Sequence, residues 1–199
     1  MGTSTRSAKK PGTARKSAKT RGSASTLSTI VAKAADAVSD LMPGGRRDAL
    51  DLLKEDHERV QKLFDEVRSS DKKRHPALFE RIRKELEVHT HIEETIFYPN
   101  LKAQGDKELV DIVLEGIEEH RQAKMFLDEI DSLRENSSKF EPKLKVLMED
   151  VEHHVSEEES EMFPMVRDHF SSDVLEDLAA EMEKEKAKFK KSMTAKAGH

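Results

Sequence analysis

Histidine and glutamate recur in this chain at a spacing that lets two side chains reach one ion. His89-Thr90-His91-Ile92-Glu93-Glu94 runs on to Phe97-Tyr98-Pro99, and His154-Val155-Ser156-Glu157-Glu158-Glu159 runs on to Met162-Phe163-Pro164. In each copy a His precedes a Glu by four residues and a Pro by ten, and the copies are offset by 65 residues. Two more histidines, His57 and His120, stand 63 residues apart in a second matching pair of segments. On a helix, positions i and i+4 differ by about 40° and one turn, so His89 and Glu93 project side by side, as do His154 and Glu158. Imidazole and carboxylate together suit iron, manganese or zinc. The duplicated set of His57, His89, Glu93, His120, His154 and Glu158 therefore points to one metal site built in two halves.

Regular helical stripes carry these residues. Leu53, His57, Val60, Phe64 and Val67 mark the inward face of a first helix, from about Arg46 to Ser69. Phe79, Ile82, Leu86, His89, Glu93 and Ile96 mark a second, opened by Pro76 and running to about Leu101. Gly105-Asp106 ends it and caps a third, with Leu109, Val113, Gly116, His120, Ala123, Leu127 and Ile130 inward, stopping near Asn136. Pro142 opens a fourth, with Leu144, Leu147, Val151, His154, Glu158, Met162 and Met165 inward to about Asp168. Short links force neighbouring helices antiparallel, so the expected fold is all-α, an up-down-up-down four-helix bundle over residues 46–170. Each of the four histidines falls near mid-helix, and antiparallel packing brings mid-helix positions to one level. An extra C-terminal helix, from Asp173 to about Lys191 with Ser171 or Ser172 as cap, is expected within residues 171–199, packed outside the main unit.

Composition bounds the alternatives. Charged residues make up 38% and aromatic residues 5% of the 199, which suits narrow buried stripes and solvated outer faces. Cysteine is absent, so thiolate metal sites, disulfides and cysteine nucleophiles are excluded. No run of about 18 apolar residues occurs, so no membrane span and a cytoplasmic setting are expected. Residues 1–50 hold ten of the 35 Lys and Arg but only Asp36, Asp40 and Asp48 of the 40 Asp and Glu, which makes a basic arm on an acidic body.

Residues 1–25 lack acidic and, apart from Met1, large apolar side chains. Such a segment cannot bury enough surface to offset its ordering entropy and is expected to be disordered. In residues 26–45, Leu27, Ile30, Val31, Ala34, Val38 and Leu41 fall at helical spacing before Pro43-Gly44-Gly45, the pattern of a short amphipathic helix and linker. From Arg6 to Arg21 the arm carries seven basic residues and resembles linker-histone-type tails in composition. Three uses fit it: binding nucleic acid or another polyanion by counterion release, targeting, or simple solubility.

A single inward His is more often a hydrogen-bonded core residue than a ligand. Six polar residues replacing apolar ones at one level, in a doubled pattern, are not explained that way. His91 is rotated about 200° from His89 and is expected to face solvent, and His153 is about 100° from His154. With His75, His169 and His199, these stand outside the ligand set. Glu94 and Glu159, one residue past each inward Glu, and His153 are candidates to contact the ligands from outside, with direct ligation the alternative for Glu159. No Glu-x-x-His pair supports a ferritin-like carboxylate site, and no zinc-protease, phosphate-loop or serine-nucleophile motif occurs.

His57 within Glu55-Asp56-His57-Glu58, His89-x-x-x-Glu93 before Phe97-Tyr98-Pro99, His120 within Glu118-Glu119-His120-Arg121, and His154-x-x-x-Glu158 before Phe163-Pro164 together resemble the hemerythrin-like HHE cation-binding family. That resemblance implies a four-helix bundle around two non-haem irons. His57, His89, His120 and His154 would be terminal ligands, Glu93 and Glu158 bridges, and an oxo or hydroxo group would complete the bridge. Manganese or zinc suits the same ligand types. In the oxygen carriers of this kind a second His follows the third-helix His by one turn, and here that position is Lys124, between Ala123 and Met125. Four His instead of five leaves one iron with an open or water-occupied position. The expectation therefore shifts from reversible oxygen carriage to binding or sensing of dioxygen, peroxide, nitric oxide or iron itself, with at most weak peroxidase- or catalase-like activity. The alternatives are a di-iron enzyme that consumes peroxide or nitric oxide, and a DNA-associated protective protein acting through the arm.

Overall fold

The computed structural model describes residues 1–2, 47–133 and 137–197. Apart from Met1 and Gly2, the basic arm and the short N-terminal helix expected before residue 46 lie outside the described residues. Helix α1 spans Ala49–Ser69, α2 His75–Ile92, α3 Tyr98–Gln104, α4 Lys107–Asp131, α5 Phe140–Glu157, α6 Phe163–His169 and α7 Ser172–Ala197. Two five-residue π segments, π1 Glu93–Phe97 and π2 Glu158–Met162, join α2 to α3 and α5 to α6 end to end. The bundle thus has four long rods, α1, α2–π1–α3, α4 and α5–π2–α6, to which α7 is added. Among the described residues there is no strand, and no helix is long and apolar enough to cross a membrane.

Local chemistry sets the ends of the rods. Asp48 and Asp51 form a reciprocal cap on α1: the Asp51 backbone N–H donates to the Asp48 carboxylate at 3.0 Å and the Asp48 N–H to that of Asp51 at 3.3 Å. Asp106 caps α4 by accepting from the Leu109 N–H at 3.0 Å. Gly105 before it is needed for closeness, since a Cβ there would lie 2.7 Å from the Leu101 carbonyl oxygen and 2.8 Å from a Leu109 methyl.

The rods alternate in direction, and the order of buried residues along them shows it. Two apolar layers sandwich the histidines. Ala49, Leu50, Leu52 and Leu53 of α1 lie in the first layer, His57 follows, and Val60, Leu63, Phe64 and Val67 lie in the second. On the next rod the order reverses: Leu78, Phe79, Ile82 and Leu86 come first, then His89, then Ile92, Phe97, Tyr98 and Leu101. Helix α4 repeats the sense of α1, and α5–π2–α6 that of α2–π1–α3. Antiparallel packing therefore brings all four histidines into one polar layer between two apolar ones.

The π segments alter the inward stripe beyond each Glu. Ile96 and Met165, expected inward from an unbroken α-helical period, are only half-buried, while Phe97, Tyr98, Met162 and Phe163 are buried. Each wider turn holds an extra residue and advances the phase. Its cause lies one step on: Pro99 and Pro164 lack an N–H, and their rings cannot sit against the carbonyl four residues back in a regular α-turn. The Thr95 hydroxyl donates to the His91 carbonyl and the Ser160 hydroxyl to that of Ser156, each at 2.6 Å, at equivalent positions of the repeat.

Helix α7 does not stay outside the main unit as expected. It packs on α1, α2 and π1, and its Leu175, Leu178, Ala179 and Met182 are buried in the first apolar layer. The sequence carries the reason: Ala49, Leu50, Leu52 and Leu53 spread over an arc of about 160° at the start of α1, wider than one bundle face covers. His91, expected at solvent, is instead stacked on Phe189 of α7 with centroids 3.9 Å apart, and its Nε2 lies 3.0 Å from a Glu185 oxygen. His75 opens α2 buried, with Nδ1 2.9 Å from the Glu141 carboxylate.

Candidate metal centre

The polar layer holds His57 from α1, His89 from α2, Glu93 from π1, His120 from α4, His154 from α5 and Glu158 from π2, all buried. Each Glu starts its π segment, so the turn that widens the helix also sets the carboxylate against the His one turn before. Donor atoms of His57, His89, Glu93 and Glu158 lie within 4.8 Å of one another, and so do those of Glu93, His120 and His154. Glu93 belongs to both groups. All six residues singled out by spacing are thus brought together.

Their polar atoms converge without satisfying each other. His57 Nε2 is 3.2 Å from a Glu158 oxygen, His89 Nε2 3.1 Å and His120 Nε2 3.3 Å from a Glu93 oxygen, and His154 Nε2 3.7 Å from Glu158. Yet among the described residues His57 Nε2, both His89 nitrogens, both Glu93 oxygens and Glu158 Oε2 are buried with no hydrogen-bond partner. The Nε2 atoms of His120 and His154 face each other at 3.0 Å. Orphaned buried polar atoms cost free energy of order 1–3 kcal/mol each, and atoms that aim at a shared centre instead of at each other are what a cation needs. This donor set fits metal.

On three of the four rings the opposite edge is occupied by a carboxylate. His57 Nδ1 is 2.8 Å from Glu159 Oε1, His120 Nδ1 3.1 Å from Glu94 Oε1, and His154 Nδ1 2.6 Å from Glu119 Oε2. An Nδ1–H donated outward fixes the tautomer and leaves Nε2 bare toward the centre. Glu94 and Glu159 hold the ring of a neighbouring helix, at the outer contact expected of them. His153 does not share that role: it is exposed on the surface, with Nε2 3.2 Å from Glu157. Lys124 turns away from the centre, and its ammonium donates to both Glu94 oxygens at 2.6 Å.

Two aromatic residues escape a reading based on ligand types. Tyr98 stacks on His120 with centroids 5.4 Å apart, and its hydroxyl donates to Glu158 Oε1 at 2.7 Å. At the equivalent position Phe163 stacks on His57 at 6.0 Å. Gly116 makes room for Tyr98, because a Cβ there would lie 3.0 Å from the Tyr98 oxygen. The signal was the aromatic residue nine after each repeated His, at Tyr98 and Phe163. Only the π phase shift turns it inward.

Charge is finely divided in the layer. Burial lowers the pKa of His57, but Glu158 and Glu159 outweigh it and raise the ring to about 9. Burial, then the charge of His57, pushes His89 well below its ordinary value. Burial and the neighbouring Glu158 push Glu93 well up. Burial works against ionised Glu158 too, yet His154 and His57 hold its carboxyl below the usual range. A cation arriving at these groups displaces the protons they share.

A cavity of about 140 Å³ opens beside the layer, reaching His57, His89, His120 and His154 past Val60, Leu86, Thr90, Ala123, Val151 and Val155. Gln122 and Asp150 bridge α4 and α5 at its rim, Nε2 donating to Oδ2 at 2.8 Å.

These features agree with what the chain is similar to. It is 28% identical over 151 residues to a protein of Nostoc sp. strain PCC 7120 named a DNA nickase, a stretch covering 74% of this chain but only 41% of that protein. It is 26% identical over 137 residues to an uncharacterised hemerythrin-like protein of Schizosaccharomyces pombe, covering 68% of each. A crystal structure of a hemerythrin HHE cation binding domain-containing protein from Mycobacterium kansasii superposes with a TM-score of 0.64 at 25% identity, covering 75% of this chain and 91% of that one. The model of the hemerythrin HHE cation binding domain matches residues 48–166, from the cap of α1 into α6. With that match over more than half its length, the chain belongs to the hemerythrin HHE cation-binding domain family.

Proposed function

We propose that this protein holds two non-haem iron ions at the six-residue layer and binds or senses a small ligand there, namely dioxygen, peroxide or nitric oxide. The observation that carries the reading is the convergence of orphaned imidazole nitrogens and carboxylate oxygens on one buried centre. His57, His89, Glu93 and Glu158 would hold one ion, and Glu93, His120 and His154 the other. Six carboxylates, Asp56, Glu93, Glu94, Glu119, Glu158 and Glu159, stand in or against the four rings. Lys124 on Glu94 and Lys186 and Arg59 on Asp56 offset part of that charge, and the excess that remains is more than one dication neutralises, which favours a second. Iron so held would supply open coordination and reversible electron transfer. The chain's own contribution is to exclude water with two apolar layers, to orient the His57, His120 and His154 rings from their Nδ1 edges, and to admit a small ligand by the cavity that reaches all four histidines.

The test is metal content with the visible spectrum, on wild type and on His89→Ala and His154→Ala. Wild type is expected to take up about two irons per chain and to absorb in the visible after exposure to air, with both variants depleted. Metal-free protein from iron-replete cells that also refuses ferrous iron anaerobically would sink the assignment.

Contact with DNA is a second reading, supported by the seven basic residues from Arg6 to Arg21 and by the similarity to a protein named a DNA nickase. It calls for binding that weakens steeply with salt and is lost when residues 1–25 are deleted.

A further inference from the structure

Helix α7 lies beyond residue 166, where the family match ends, yet it reaches the polar layer. Its Lys186, with 13% of the side chain exposed, donates to Oδ1 of Asp56, which is 3% exposed. Arg59, one turn along α1, pairs with the same oxygen. The other oxygen, Asp56 Oδ2, faces His89 Nδ1 at 3.8 Å. Among the described residues both of those facing atoms are buried without a hydrogen-bond partner. At the equivalent place in the second copy, Glu119 and His154 Nδ1 are already bonded at 2.6 Å. One ring of the layer is therefore left about an ångström short of the contact that the other three have made, and the carboxylate it lacks is held by α7.

We propose that Lys186 is a positioning residue that couples α7 to the metal position on His89. The inference rests on the metal reading above. With Nε2 engaged by a cation, the His89 Nδ1–H becomes a stronger donor and closes on Asp56 Oδ2. Asp56 then accepts from His89 on one oxygen and from Lys186 on the other, so neither contact is made at the other's expense. The same bond that steadies His89 presses Lys186 and the helix around it onto α1. Coupling between two equilibria is reciprocal: if metal tightens α7, removal of the Lys186 cation weakens metal by the same factor.

The experiment is amide hydrogen exchange across α7, with and without ferrous iron added anaerobically, on wild type, Lys186→Met, Lys186→Arg and Lys184→Met. Iron is expected to slow exchange around Lys186 by about tenfold in wild type, within the usual span of coupling between sites. Lys186→Arg and Lys184→Met, the latter at an exposed lysine of the same helix, should keep that response and Lys186→Met should lose it, with its iron affinity reduced by a matching factor. Iron uptake with unchanged α7 exchange in wild type overturns the coupling whether or not Lys186→Met folds, as does an undiminished response in a folded Lys186→Met. Failure of wild type to take up iron at all is a different result and overturns the metal reading beneath it.

Discussion

In the first copy of the repeat, His89 faces Asp56 across 3.8 Å beneath α7, while in the second His154 is bonded to Glu119 at 2.6 Å. The first has Tyr98, whose hydroxyl crosses to Glu158; the second has Phe163, which stacks and donates nothing. Glu93 joins both donor groups and Glu158 only one. Duplication thus preserved the inner ligand types while the surroundings diverged. Two metal positions that look equivalent in the sequence should differ in affinity and in what holds them.

The sharpest way to break this comparison is to remove the two carboxylates one at a time. Because Glu93 serves both donor groups, Glu93→Ala is expected to lower bound iron from about two per chain to nearly none. Glu158→Ala leaves the group of Glu93, His120 and His154 whole and should retain about one. Metal analysis after equilibrium dialysis reads both. Equal losses would mean that the two carboxylates serve both ions alike and that the asymmetry of the layer is not kept when metal binds.

A smaller effect is expected from the aromatic pair. Tyr98→Phe leaves Glu158 Oε1 buried without its donor, which should cost about 1–3 kcal/mol in the metal-free protein. Gly116→Ala crowds the same hydroxyl and should destabilise in the same direction. Both are read from the denaturant midpoint. A Tyr98→Phe protein as stable as wild type would show that the hydroxyl merely fills space, as Phe163 does in the other copy.

Much of this was legible in the sequence because apolar and ligand residues share one helical period. The rods from Leu53 to Val67 and from Leu109 to Ile130 needed nothing else, and the six inward polar residues fell on the same stripes. The period failed just after each Glu. Proline at 99 and 164 widens the turn there, so Phe97 and Tyr98 replace Ile96 inside and Phe163 replaces Met165. Those prolines were visible, but a stripe counted at a constant 100° per residue cannot register an inserted one. Helix α7 was visible too, from its serine cap to about Lys191. That it carries Lys186 to Asp56 was not, since the docking face of a lone helix is settled by what its partner leaves uncovered. His91 misled for the same reason.

The smallest expected effect lies at Lys124, one turn beyond His120. Its ammonium holds Glu94, whose carboxyl His120 first and Lys124 next bring down to about 2 against the pull of burial. The lysine is 42% exposed and its partner 31%, so solvent screens the pair. Lys124→Ala should therefore change stability by less than about 1 kcal/mol and leave bound metal unaltered. Glu94→Gln should do more, since the His120 Nδ1–H then loses a charged acceptor and its ring is less firmly aimed. The second copy offers the control, because Glu159 holds His57 without a lysine behind it among the described residues. If Lys124→Ala depleted metal as strongly as Glu94→Gln, the two copies would differ in a working part of the centre and not only in its outer support.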